Sequence, residues 1–176
     1  MHLKEEQLIE ACMRNDRKAQ REMYNRYVQR MMSIAVRYVG DPDVAKDVVQ
    51  EAFIRVFTSL GQYKARGSFE GWLRRIVVNA ALEYLRAGRV LFESIDSDEV
   101  VDMPAMDENV LERIATDDLL AIIASLPDGY RTVFNMYAIE GYSHKEIAER
   151  LGINEGSSRS QYLRAKALMQ KKLNDI

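Results

Sequence analysis

Residues 44–60, VAKDVVQEAFIRVFTSL, place apolar side chains at positions 44, 45, 48, 49, 52, 53, 56, 57 and 60. That is one unbroken stripe at the helical period, and the two-residue alternation of a strand cannot produce it. The pattern recurs on both sides. In 19–39 the stripe is Met23, Tyr27, Val28, Met31, Met32, Ala35 and Val39. In 68–87 it is Phe69, Trp72, Leu73, Ile76, Val77, Ala80, Ala81 and Tyr84, with Ser68 placed to cap the helix start. A further helix is expected from about Leu3 to Arg14, and Gly40-Asp41-Pro42 and Gly61 to Gly67 read as connections. Only three prolines and nine glycines interrupt 176 residues, which favours long helices. The expected fold is all-α.

From Val90 to Thr116 the periodicity dissolves into acids with a proline, ESIDSDEVVDMPAMDENV, which reads as a flexible acidic linker. The formal charge of −2 conceals this arrangement: residues 1–93 carry +4, 94–118 carry −8 and 119–176 carry +2. Two mildly basic segments flanking one acidic stretch suggest contact with nucleic acid. Helices are expected again at about 117–126, 128–139, 143–151 and 154–174. The expected organisation is therefore a helical domain over 1–90, a linker over 91–116 and a smaller helical domain over 117–176. A single cysteine, Cys12, excludes a disulfide framework, and two histidines argue against a dedicated zinc site. No apolar run approaches the roughly 20 residues of a membrane span, so a cytoplasmic protein without membrane insertion is expected. Nothing resembles a phosphate loop, a metal cluster or a nucleophile beside a base. An enzyme is not expected, nor a cofactor or metal.

Three constellations bear on function. In YSHKEIAERLGINEGSSRSQYLRAK, Ser143 and Glu146 form a capping box, and Ile147, Ala148 and Leu151 face inward. Gly152 permits a sharp turn and Asn154 caps the next helix, which together make a helix-turn-helix. Ser157, Arg159, Ser160, Gln161 and Arg164 supply donors and acceptors for base edges, and Lys166, Lys171 and Lys172 suit phosphates. On the helix at 44–60, Asp47, Gln50, Glu51 and Ile54 fall opposite the buried stripe, which strands one isoleucine among polar side chains. The third constellation, QYKARGSFEGWLRRIV, sets Tyr63, Lys64 and Arg66 in a glycine-bounded loop where exposure is expected. Arg75, Asn79 and Arg86 form an outward row on the following helix. Aromatic rings beside cations suit the stacking of single-stranded bases, although a solvated face around core aromatics explains the same composition.

The order of these blocks closely resembles the extracytoplasmic-function group of bacterial RNA polymerase sigma factors. The resemblance is carried by DVVQEAFIRVFTSL, GSFEGWLRRIVVNAALEYLR, the acidic linker and LPDGYRTVFNMYAIEGYSHKEIAERLGINEGSSRSQYLRAK, and it covers roughly residues 5–173. It implies a factor that binds core RNA polymerase and directs promoter-specific initiation. Asp47, Gln50, Glu51 and Ile54 would dock on the polymerase clamp. Tyr63, Lys64, Arg66, Arg75, Asn79 and Arg86 would read the −10 element as melted single strand. Ser157, Arg159, Ser160, Gln161, Leu163 and Arg164 would read or flank the −35 element as duplex. The linker would thread the polymerase's RNA path, and a cognate anti-sigma factor would restrain the protein. Two positions depart from the pattern. Ser158 stands where many members carry a β-branched apolar residue, and Glu83 where aspartate is more usual. The alternative reading is a helix-turn-helix repressor or activator acting on duplex DNA without polymerase. A purely protein-binding helical adaptor is a third.

Overall fold

The computed structural model describes residues 4–88 and 116–174. Their regular structure is all helical, without a strand among them, and they divide into two units between Tyr84 and Leu85. The stretch read as an acidic linker lies outside the described residues, apart from its last position.

The first unit contains α1 (Glu5–Met13), α2 (Arg17–Val39), α3 (Pro42–Ser59), a 3-10 turn (Leu60–Gln62) and the greater part of α4 (Phe69–Ala87). Its helix ends follow from single residues. Asp16 accepts the backbone N–H groups of Lys18 and Ala19, at 2.8 and 3.2 Å, and so starts α2. Gly40, at φ 77°, ends that helix in the left-handed conformation that a Cβ disfavours. The next two residues start α3: Asp41 accepts from Asp43 N (2.7 Å) and Val44 N (3.2 Å), and Pro42 stands in the first turn. A connection this short makes α2 and α3 packed neighbours. The core between these helices holds Leu8, Met23, Met31, Tyr38, Val56, Phe69 and Leu73. Tyr27 ties α1 in by donating its hydroxyl hydrogen to Glu5 Oε2.

The expected stripes are largely the buried ones, with one clear correction. Tyr84 is 49% exposed, whereas Val78, Leu82 and Leu85 are buried. The buried side of α4 therefore rotates along the helix, and the straight 3.6-residue stripe drawn from Phe69 misses its final turns. Ile34 and Tyr38 of α2 are also buried outside the expected stripe.

The second unit holds α5 (Thr116–Ala124), α6 (Asp128–Phe134), a π-helical turn (Asn135–Ile139), α7 (His144–Leu151) and α8 (Glu155–Asn174). Helix α8 packs against α5, α6 and α7 in turn. Ile122, Ile123, Leu126, Phe134, Ala165 and Met169 form the core. Arg131 is only 4% exposed and closes the α5 end, donating from Nη1 to the carbonyls of Leu126 (2.7 Å) and Ala124 (3.0 Å). Its Nη2 pairs with Asp128. A buried cation is tolerated because its donors are satisfied. Arg131→Ala leaves those acceptors and Asp128 unpaired and should cost about 3 kcal/mol, read as a lower denaturation midpoint of the second unit.

Candidate nucleic-acid interface

On α3, Asp47, Gln50, Glu51 and Ile54 are all exposed, Ile54 by 59%. Glu51 is held from behind. Arg55 donates from Nε to Glu51 Oε1 (3.1 Å) and from Nη1 to Glu83 Oε2 on α4 (2.6 Å). The two carboxylates, Glu83 foremost, push the guanidinium's pKa further up. Glu83, the acid one carbon longer than the pattern's aspartate, thus has a defined partner.

The Tyr63–Gly67 loop departs from expectation at its aromatic residue. Tyr63 is half-buried, 5.4 Å from the ring centres of both Phe69 and Trp72. Its hydroxyl donates to the Gly67 carbonyl at 3.0 Å and closes the loop on itself. Phe69 is fully buried and also meets Tyr27 edge-on at 5.5 Å. The ring expected to lie open is therefore part of the packing that shapes the loop, and stacking fully on a base would require it to leave that cluster. Lys64 and Arg66 are exposed around Ala65, whose φ of 53° is a left-handed conformation costly to a residue with a Cβ. Arg75, Asn79 and Arg86 are exposed on α4, and Ser68 Oγ accepts from Gly71 N at 3.1 Å.

In the second unit, Ser143 accepts from Glu146 N through Oγ (3.3 Å) while Glu146 Oε2 accepts from Ser143 N (2.8 Å). The bonds from Ser143, that of its backbone N–H first, hold the Glu146 carboxyl below its usual range. Ile147, Ala148 and Leu151 are buried. Gly152 turns the chain at φ 70°, and Asn154 Oδ1 accepts from Ser157 N at 2.7 Å. Both expected caps of the helix-turn-helix are present.

Along α8, Arg159, Ser160 and Leu163 are exposed, Leu163 by 65%. Arg159 is not idle, for it forms an ion pair with Glu155 one turn earlier. Arg164 is half-buried, 3.5 Å from the Tyr130 hydroxyl, and the Lys166 ammonium lies 5.8 Å from the Tyr162 ring centre. Lys171 is exposed and Lys172 partly so. Ser157 and Gln161 are half-buried, and Gln161 turns an unpartnered Oε1 inward. Only part of the polar set expected on the outer face therefore lies there. Gln161 is expected there for its amide donors and acceptor, yet the helix rests partly on that side.

Sequence reasoning missed His144. Its Nδ1 lies 2.9 Å from Ser158 Oγ, and its ring stacks on Tyr137 at 4.2 Å and 12°. Tyr162 meets it edge-on at 5.8 Å. Burial first, then the Arg159 charge, push the His144 pKa down, with Glu155 opposing. The legible signal was a histidine just after a capping serine, where a helix N-terminus disfavours a cation. Cys12 carries no chemistry at this surface: burial foremost, then nearby acids, push its thiol up to about 11. No group of His, Cys, Asp and Glu among the described residues is arranged to hold a metal ion, and no helix there is long and apolar enough to cross a membrane.

The second unit is thus a helix-turn-helix with an exposed second helix, the class of module that reads duplex DNA. Comparison with known proteins narrows the class. Residues 23–90 match the Sigma-70 region 2 family and residues 116–169 match Sigma-70 region 4. The ECF RNA polymerase sigma-E factor of Haemophilus influenzae is 32% identical over 99% of this chain and 97% of its own length. The RNA polymerase sigma-H factor of Pseudomonas aeruginosa is 30% identical over 98% and 95%. Among solved structures, the sigma factor RpoE in complex with the anti-sigma factor NepR from Bartonella quintana is 20% identical. It has a TM-score of 0.51 and covers 89% of this chain and 96% of that one, a likeness of fold. The chain belongs to the extracytoplasmic-function family of RNA polymerase sigma factors, which are not enzymes.

The His144 environment predicts a pH dependence. Its charged neighbours are Lys145 and Glu146 on α7 and Glu155 and Arg159 on α8, beside the Tyr137 and Tyr162 rings. Its folded pKa is depressed, so the unfolded chain takes up the proton first as pH falls. The stability of the second unit is therefore full above the imidazole's ordinary value of 6.5 and declines below it. Protection factors of the α7 and α8 amides should fall between about pH 7.5 and about pH 5.5 in the wild type, and less so in His144→Gln.

Proposed function

We propose how this sigma factor divides its work between its two units. The α3 face of Asp47, Gln50, Glu51 and Ile54 binds core RNA polymerase. The loop residues Tyr63, Lys64 and Arg66, with Arg75, Asn79 and Arg86 on α4, hold the melted −10 strand. Ser157, Arg159, Ser160, Gln161, Leu163 and Arg164 face or flank the −35 duplex. The observation that carries this reading over that of a duplex-binding repressor is Ile54. A highly exposed isoleucine on a face otherwise polar is the composition of a protein-docking hot spot, an apolar centre with a charged rim.

On the −10 side, the support is a shaped loop whose cations are exposed while its aromatic ring braces it. An extruded base can then be received beside the braced loop, at an unstacking cost of a few kcal/mol. On the −35 side, Arg159 can exchange its Glu155 partner for the edge of a guanine, a contact worth about 1–3 kcal/mol of discrimination. The Bartonella relative was solved with an anti-sigma factor. We extend to this chain a cognate inhibitor that competes with polymerase for the same surfaces.

Transcription in vitro tests the division. With core polymerase from the same bacterium and fragmented genomic DNA, sequencing of 5′ ends should reveal start sites that depend on the protein and share two upstream motifs. Ile54→Glu should abolish these starts by weakening polymerase binding about tenfold or more, with the thermal midpoint unchanged because the residue is exposed. Normal starts from Ile54→Glu would remove α3 as the docking face.

A further inference from the structure

The inward row of α8 is Ser158, Tyr162, Ala165 and Met169, one residue per turn. Its far end is apolar: Ala165 and Met169 are fully buried in a core with Ile122, Ile123, Leu126 and Phe134. Its near end, which carries the exposed Arg159 and Ser160, is not. There the inward residue is a fully buried serine, and its hydroxyl meets His144 Nδ1 at 2.9 Å. His144 is the first residue of α7, and its ring is held flat against Tyr137 of the preceding turn. One imidazole therefore joins its own helix α7 to the π-helical turn before it and to α8 after it, at the point where the recognition helix begins. His144 also lines a surface groove together with Tyr137, Lys145, Glu155 and Arg159.

Apolar burial tolerates small rotations of a helix about its axis, whereas a hydrogen bond weakens steeply with angle and distance. The directional contact lies under the base-facing end and the non-directional contacts lie at the other. We propose that His144 and Ser158 are positioning residues, whose hydrogen bond fixes the rotation of α8 and thereby the aim of Arg159, Ser160 and Leu163 at the upstream promoter element. The proposal rests on α8 being the reader of that element. A buried hydroxyl left unpartnered is costly, so the pair is bound to act as a unit.

The test uses holoenzyme assembled from full-length protein and core polymerase, with a duplex promoter library randomised across the upstream element. Bound and free fractions are sequenced, which gives a preference at each base position and not merely a total affinity. Ser158→Ala should flatten the preference at the strongest positions by roughly three- to tenfold, while Ser158→Thr, which keeps the hydroxyl, stays within about twofold of wild type. His144→Phe keeps a ring to stack on Tyr137 but has no Nδ1, and it should reproduce the Ser158→Ala profile. A purely structural role lowers the active fraction and leaves the ratios between bases unchanged. Unchanged ratios in both variants, or different profiles in the two, would therefore overturn the proposal. If wild-type holoenzyme itself shows no upstream base preference, the assignment of α8 as reader fails first and the positioning role falls with it.

Discussion

With no sheet in the described residues to absorb polar backbone, every change of direction among them has to be made at a helix end. Each end exposes N–H or C=O groups that need partners. The chain meets this requirement with adjacent residues of opposite character. Gly40 ends α2 and Asp41 starts α3 with nothing between them, and Gly152 and Asn154 perform the same exchange between α7 and α8 with one residue intervening. Where no such pair is available, between α5 and α6, a buried arginine supplies the missing donors. The exposed faces of α3 and α8 follow from these junctions. A cap fixes where a helix begins, and the apolar side chains buried after it set the face that meets solvent.

The aromatic cluster around Phe69 adds a second kind of constraint, on a loop. Phe69 is the first residue of α4, fully buried, and it contacts Tyr27 on α2, Trp72 on its own helix and Tyr63 in the loop. Offset and edge-on ring pairs of this kind stabilise by about 0.5–1.5 kcal/mol each beyond their buried area. They hold the loop in a conformation that includes a left-handed alanine, which an unbraced loop would not keep. Aromatic residues and cations are adjacent in this sequence because the first shape the surface that the second occupy.

How much of this was legible beforehand varied with the physics involved. The helices of both units were read nearly to the residue, because periodicity and caps are local properties of the chain. The stranded Ile54 was also visible, since it needs only the helical angle. Tyr63 and Gln161 were read as more open than they are. Their burial depends on what another segment places against them, Phe69 and Trp72 in the first case, and helical counting carries no such information. Tyr84 failed for the opposite reason: it continues the stripe numerically while the buried side turns away from it. His144 went unread because its significance lies in a contact fourteen residues away. Ser158 was noticed as a departure, but its partner was not identified.

The charges on α8 explain how such a module can be specific without being sticky. Arg159 is engaged by Glu155, Arg164 lies beside Tyr130, and Lys166 rests over Tyr162. Arg159, at the base-facing end, is matched by a carboxylate, and the chain as a whole carries a formal −2. Non-specific DNA affinity comes from the number of phosphates neutralised and counterions released, so a chain of net negative charge is expected to have little of it. Specific recognition survives this economy only if the helix is delivered to its site by another attachment, whose effective concentration replaces electrostatic capture. In the division of work proposed above, docking of α3 on polymerase provides that attachment. In the same proposal Arg159 gives up the Glu155 carboxylate for a neutral base edge, which favours the base offering the better hydrogen bonds over mere proximity to DNA.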